Sequence, residues 1–215
     1  MPVASTLPPT IPLFPLPNVV LFPNVFLPLH IFESRYREMV HDALNADRLI
    51  GIVLLRKGWE READVNPLIY PTGCAGLITH VERLADGRYN IVLRGFEKFR
   101  VRDEEHSRAY RLAAVDALPD TMDPAARPRL RTARKRLETL LERRLTETGS
   151  ETTVPRAMAD DDLVNALAQY LDFEPVEKLA LLERAGVMAR CEALIDLLEM
   201  RLLLAAQAFP TTGVQ

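Results

Sequence analysis

The sequence predicts an α+β chain, β-rich in its N-terminal part and helical in its C-terminal part. Three observations carry that expectation. The composition changes near Pro119: before it lie β-branched and aromatic segments broken by Gly, Pro and Asp, and after it the apolar residues recur with a helical period. Ala85-Asp86-Gly87-Arg88 separates two strand-like runs, and Asp-Gly between such runs is a strong short-range hairpin signal. The stretch from Ile11 to Val40, IPLFPLPNVVLFPNVFLPLHIFESRYREMV, alternates apolar residues with prolines before breaking into a charged, helix-like run. Each proline removes a backbone donor and fixes φ at about −65°. The stretch therefore excludes a long regular element and crosses apolar territory in short extended pieces.

The elements follow in order. Ser34 is the expected N-cap of a helix over Arg35 to Leu44, with Met39, Val40 and Leu44 on one side. Ile50 to Leu55 is an apolar run of buried-strand length, closed by the turn-like KGWERE. Gly76 to Leu84 and Tyr89 to Leu93 form the hairpin. Phe96 to Arg102 alternates apolar and charged residues, which predicts one wet face. Ala109 to Leu118 completes the set, and sequential short strands of this kind suggest an antiparallel sheet or barrel. A helix is expected over 124–148, with Leu130, Leu137, Leu140, Leu141 and Leu145 on one stripe and Gly149 as its stop. Asp160, Asp161 and Asp162 suit the start of a second, with Leu163, Leu167, Tyr170 and Leu171 inward. Pro175 fits the first turn of a third, ending at Gly186. A fourth runs from Val187 to Ala208, with Cys191, Leu194, Ile195, Leu198 and Leu202 facing a core. The expected plan is a β-rich subdomain over 9–118 with one helix near 35–45, a helical subdomain of about four helices over 119–208, and a frayed tail over 209–215.

A length of 215 residues, 48% of them apolar and 27% charged, is ordinary for a soluble globular protein. A net charge of −3 gives no general attraction to nucleic acid or anionic lipid. No targeting segment or membrane-spanning run is visible, so a cytoplasmic protein without membrane partners is expected. Cys74 and Cys191 lie far apart without metal-type spacing and read as buried, reduced thiols.

The motifs that carry chemistry are missing. No phosphate-binding loop, dinucleotide fingerprint or Gly-x-Ser-x-Gly elbow occurs. His30, His41, His80 and His106 have no zinc-type spacing, so neither metal nor cofactor is expected. His30, Glu33 and Arg35 invite a catalytic reading, but charged groups at a strand-to-helix junction commonly pair with one another or cap the helix. The run Arg127 to Arg136, RPRLRTARKR, is a possible phosphate patch. Helical geometry spreads its cations around the axis, however, and no aromatic lies within it to stack on bases. What remains is apolar surface. If part of the Phe14 to Leu27 region is exposed in a groove, strand edges and apolar side chains would suit an extended peptide, with main-chain bonds giving affinity.

The run PLFPLPNVVLFPNVFLPLHIFESRYREMV, then LIGIVLL, then GCAGLITHVERLADGRYNIVLRGFEKFRV, resembles the N-terminal substrate-binding domain of Lon proteases. The segment DDDLVNALAQYLDFEPVEKLALLERAGVMARCEALIDLLEMRL resembles the helical part of the same domain, so the likeness spans residues 9 to 207. The resemblance implies a PUA-like β pseudo-barrel packed on a helical bundle, a domain related to one in cereblon. It also implies no catalytic residue, because the ATPase and serine–lysine protease modules of Lon have no counterpart in these residues. The expected function is a non-enzymatic module that recognises unfolded or apolar polypeptide, as an accessory to proteolysis or quality control. Its expected surface combines Phe22, Phe26, Leu29, Phe32 and Tyr36 near the junction of barrel and helix. Two other readings stand beside it. One is RNA binding by a PUA-like barrel. The other is an enzyme with a site in the cleft between the subdomains, where His30, Glu33 or His80 would converge with other polar groups.

Overall fold

The computed structural model of the chain describes residues 7–58, 67–120, 124–148 and 158–208. The order is β1 (Thr10–Leu16), β2 (Phe26–Ile31), α1 (Ser34–Leu44), β3 (Leu49–Leu55), β4 (Ile69–Arg83), β5 (Tyr89–Glu105), β6 (Arg111–Ala117), a 3-10 turn (Pro124–Ala126), α2 (Arg127–Thr148), α3 (Asp160–Tyr170), α4 (Pro175–Leu182) and α5 (Gly186–Ala208). No helix among the described residues is long and apolar enough to cross a membrane.

The fold is α+β, and it divides into two compact units: residues 1–120 with 165–183, and residues 121–164 with 184–215. The division differs from the linear split at Pro119. The cut falls inside α3, and α4 belongs with the strands. Helical period marks these helices in the sequence but carries no information about which surface they cover.

In the first unit the strands run β2-β5-β4-β3-β1-β6, and β6 pairs back onto β5, which curls the sheet into the expected pseudo-barrel. β5 serves three neighbours because it is long: its first residues pair with β2 and β4, its last with β6. β1 and β3 are parallel, a pairing that departs from the antiparallel order suggested by sequential short strands. A parallel pair needs a long connection, and β2 with α1 supplies it. The interior holds Ile11, Leu13, Val53, Leu55, Ile69, Phe99 and Val115.

Several boundaries move. β4 begins at Ile69 instead of Gly76, since Pro71 and Gly73 obscure a strand that is paired on both sides. β5 is one strand over 89–105, not two, and bulges where Gly95 opposes Gly76 but Glu97 opposes Ala75, leaving Phe96 as the extra residue. Gly87, with φ of 83°, turns the hairpin between β4 and β5, as Asp-Gly predicts. Ser34 is the first residue of α1 and not its cap. Glu33 holds the cap position with φ −66° and ψ 137° and makes no side-chain cap bond, its carboxylate pairing with Arg35 at 2.9 Å. Gly186, with φ of 87°, opens α5 instead of closing α4, which stops at Leu182. Pro175 does begin α4, and Glu177 closes a capping box with Glu174.

The Leu21 to Val25 segment is the point at which the first unit is pinned. Leu21, Phe22 and Val25 are buried. The Gly95 N–H donates to the Val25 carbonyl and the Asn24 N–H to the Gly95 carbonyl, both at 2.8 Å. A Cβ at position 95 would overlap the Phe22 carbonyl, so only glycine admits this approach. Asn24 accepts the left-handed φ of 63° that the turn requires. From α3, Gln169 Oε1 accepts the Phe22 N–H at 3.0 Å, Gln169 Nε2 donates to the Phe26 carbonyl at 3.1 Å, and Asn165 Nδ2 donates to the Pro23 carbonyl at 3.0 Å. Asn165 and Gln169 are buried one turn apart on α3, and they satisfy the backbone of a segment that enters no ladder.

In the second unit α2 packs on α5. Leu130, Leu137 and Leu141 are buried and Leu140 half-buried, while the side chain of Leu145, Gly149 and the tail over 209–215 lie outside the described residues. Cys191, Leu194, Ile195, Leu198 and Leu202 face the core as expected, and Cys74 and Cys191 are both buried free thiols.

Gly95→Ala is expected to cost about 1–3 kcal/mol through overpacking, read as a lowered midpoint in urea. Gln169→Leu keeps the volume but strands the buried Phe22 N–H, and should cost a further independent loss of about 1–3 kcal/mol in the same assay. Burial, then Glu192 and Asp160, pushes the Cys191 thiol up to about 11. Below that value the group is a thiol and not a nucleophilic thiolate. Iodoacetamide at mildly alkaline pH should therefore leave Cys191 unmodified in the native protein and alkylate it in urea, as mass spectrometry of the intact chain would report.

Candidate functional site

β2 is an edge strand whose alternation sorts its side chains. Leu27 and Leu29 are half-buried and Ile31 buried on one face, whereas Phe26, Pro28 and His30 are exposed on the other. Phe32 continues the exposed stripe just past the strand, its ring stacked on that of His30 with centroids 6.3 Å apart. The sheet register extends the stripe into rows. Phe26 lies opposite Arg94, which lies opposite Leu77; Pro28 aligns with Val92 and His80; His30 aligns with Asn90 and Glu82.

One end of this face is apolar. Phe26 is 50% exposed and Phe96 43%, and Leu77 is also exposed. Phe96 stands two residues beyond Arg94 on β5, a diagonal neighbour of Phe26 within reach of an aromatic ring. Tyr170, at the end of α3, is 66% exposed and donates its hydroxyl to the Phe26 carbonyl at 2.8 Å. Its expected inward position is therefore corrected: the buried positions of α3 go to Leu163, Val164, Ala168, Asn165 and Gln169, and Tyr170 comes out beside β2. The other end is polar. Arg88 donates to His30 Nε2 at 3.3 Å, His30 Nδ1 meets Asn90 Oδ1 at 2.7 Å, and Asn90 Nδ2 donates to Glu82 at 2.8 Å. The neutral His30 tautomer with a proton on Nδ1 satisfies this chain at both ring nitrogens.

The five residues expected to form the surface do not come together. Phe26 and Phe32 lie on the outer stripe and Leu29 beneath it, half-buried. Phe22 is fully buried, because the Gly95 contact presses its segment onto the sheet. Tyr36 is buried against Phe14, with ring centroids 4.3 Å apart and the Arg35 guanidinium over its ring. Burial holds the Tyr36 hydroxyl above its ordinary range. The sequence does not mark Phe96, Leu77 or Tyr170 as surface partners of Phe26. Alternation in FEKFRVR marks one wet face of β5, but only the register shows that its exposed phenylalanine stands next to Phe26.

The free edge of β2 offers little to an incoming strand. Val25 accepts from Gly95, so by alternation Leu27, Leu29 and Ile31 bond to β5 and Phe26, Pro28 and His30 point their backbone groups outward. The Phe26 carbonyl is already taken by Gln169 and Tyr170, and Pro28 has no N–H. Main-chain pairing, the expected source of affinity, is thus obstructed at Phe26 and Pro28, and the side-chain face stays open.

His30 and His80 sit in different rows of the open face, and Glu33 is occupied by Arg35. Among the described residues no group of three or more His, Cys, Asp or Glu is arranged to hold a metal. The basic run on α2 is largely neutralised within its own unit. Arg129 pairs with Glu192, Arg131 with Asp160, Arg134 with Glu138 and Asp160, and Arg136 with Glu199.

Comparison with known proteins fits this geometry. Residues 10–200 match the family of the ATP-dependent protease La (LON) substrate-binding domain. Lon protease 2 of Syntrophobacter fumaroxidans is 29% identical over 194 residues, which make up 86% of this chain and 24% of that protein. Lon protease 2 of Myxococcus xanthus is 28% identical over 204 residues, 91% of this chain and again 24% of the relative. The chain thus spans about a quarter of the length of these relatives. The crystal structure of a Lon N-terminal domain protein from Xanthomonas campestris superposes with a TM-score of 0.61 at 25% identity, covering 87% of this chain and 97% of that one. The N-terminal domain of the Mycobacterium avium complex Lon protease superposes at 0.62 with 18% identity, covering 88% and 98%. With a match over nearly all its described residues and a shared fold, the chain belongs to the LON substrate-binding domain family.

Proposed function

We propose that this protein is a non-enzymatic binding module for apolar segments of unfolded polypeptide, and that the outer face of β2, β5 and β4 is its contact surface. The observation that carries the reading is the group of exposed apolar side chains Phe26, Leu77 and Phe96 on one sheet face, with Tyr170 beside its β2 edge, in a domain whose family is defined by substrate binding. Exposed apolar groups standing together on a folded surface commonly mark an interaction site. Phe32 extends the surface along β2, and the half-buried Leu29 supports it from beneath. The family supports our reading of it as an accessory to proteolysis or quality control, which we place in the cytoplasm.

The energetics favour weak, adaptable binding. Covering the exposed halves of Phe26 and Phe96 contributes about 1 kcal/mol each, half of the usual gain for burying a large apolar side chain. Immobilising a disordered segment offsets much of the total, so micromolar affinity is the natural range. RNA binding is not supported by the basic run of α2, in which Arg129, Arg131, Arg134 and Arg136 are engaged by carboxylates. Among the described residues His30 and His80 stand in different rows of the sheet and Glu33 pairs with Arg35, which speaks against a joint catalytic role.

Reduced, carboxymethylated lactalbumin, which stays unfolded in native buffer, should bind the wild-type protein in fluorescence anisotropy. The double variant Phe26→Ala/Phe96→Ala should bind about tenfold to a hundredfold more weakly, given roughly 1–3 kcal/mol lost from the two rings, with an unchanged urea midpoint. Wild-type binding that the double variant retains in full would overturn the assignment to this face.

A further inference from the structure

Arg94 stands in the middle of the apolar end of this face. Phe26 flanks it on β2, Leu77 on β4, and Phe96 two residues on along its own strand. Phe26 and Arg94 form a non-hydrogen-bonded pair, the type in which facing side chains come closest. Among the described residues the one partner of the Arg94 guanidinium is a neutral amide: its Nη2 donates to Asn24 Oδ1 at 2.9 Å. Asn24 is itself held, by the left-handed turn and by its N–H bond to Gly95. The amide therefore orients the guanidinium without neutralising it. Arg35, Arg88, Arg102 and Arg108, by contrast, each carry a carboxylate partner, and what distinguishes Arg94 among the arginines without one is its apolar frame.

We infer that Arg94 makes this face selective for polypeptide segments in which a Glu or Asp is flanked by apolar residues. The inference rests on the proposed binding role and adds a charge rule to it. An oriented, unneutralised guanidinium in an apolar frame recognises a carboxylate through charge-assisted hydrogen bonds. The frame places apolar side chains on both sides of the cation, so an acidic side chain inside a segment suits it better than a carboxylate at a chain end, which has apolar neighbours on one side only. Phosphate of a nucleic acid shares the charge but lacks the apolar flanks. Covering the site with apolar residues also shields the pair from water, which strengthens it relative to a bare surface ion pair.

The test uses fluorescein-labelled, C-terminally amidated peptides with a Phe-Glu-Leu, Phe-Gln-Leu or Phe-Lys-Leu core between Gly-Ser flanks, titrated with the full chain. A fourth peptide ends in Phe-Leu with a free carboxylate, and a fifth probe is single-stranded oligo(U). Wild type should bind the Glu peptide about fivefold tighter than the Gln peptide at low salt, with the gap shrinking as salt rises. Arg94→Gln should bind the two alike, and Arg94→Glu should prefer the Lys peptide, a reversal that mere loss of folding cannot produce. Equal binding of the Glu and Gln peptides by wild type overturns the charge rule while leaving the apolar binding role intact. Tightest binding of the free-carboxylate peptide, or of oligo(U), overturns the choice of occupant. No binding of any peptide overturns both the rule and the role on which it rests.

Discussion

The close approach of one backbone segment to another at Gly95 is the constraint on which the first unit depends. A hydrogen atom at position 95 lets the Phe22 carbonyl reach β5, and that contact turns the chain so that β2 enters the sheet in a fixed register. Everything on the outer face inherits this register: which residue stands beside Arg94, and why His30 meets Asn90. The cost is a stretch of buried backbone without ladder partners. Asn165 and Gln169 answer it from α3 with amide groups, which can donate and accept at once. A hydroxyl or a charged group at these positions could not serve two carbonyls and an N–H with so little desolvation penalty.

The same pinning accounts for the division of labour along the apolar N-terminal segment. Leu21, Phe22 and Val25 go inward because the turn at Asn24 is pressed onto the sheet, whereas Phe26, one residue further, already obeys the alternation of β2 and points out. Core and surface are thus separated by a single residue. Tyr170 belongs to the same arrangement. Its hydroxyl is spent on the Phe26 carbonyl while its ring stays in solvent, so one side chain occupies part of the free strand edge and stands beside the open face.

How much of this was legible in the sequence depends on whether the information is local. The Asp86-Gly87 turn, the buried run of β3, the acidic start of α3 and the core stripe of α5 are written in neighbouring residues and are found where expected. The parallel pairing of β1 with β3, the packing of α4 with the strands and the meeting of Phe26, Leu77 and Phe96 depend on partners distant along the chain. Tyr170 shows the limit most plainly. Its spacing is that of a core residue, but Asn165 and Gln169 take the buried face because the carbonyls of Pro23 and Phe26 need donors there. No helical period can anticipate a demand made by another segment.

The discontinuity of the first unit has a consequence for how it is made. β1 cannot complete its pairing until β6 has been synthesised about a hundred residues later, a non-local closure of the kind that slows folding. Even then the Phe22 N–H and the carbonyls of Pro23 and Phe26 wait for Asn165 and Gln169. A ribosome-bound chain with its strands already emerged therefore lacks these side-chain partners until α3 leaves the exit tunnel. During that interval the buried backbone on either side of Asn24 goes without the amides that serve it in the finished fold.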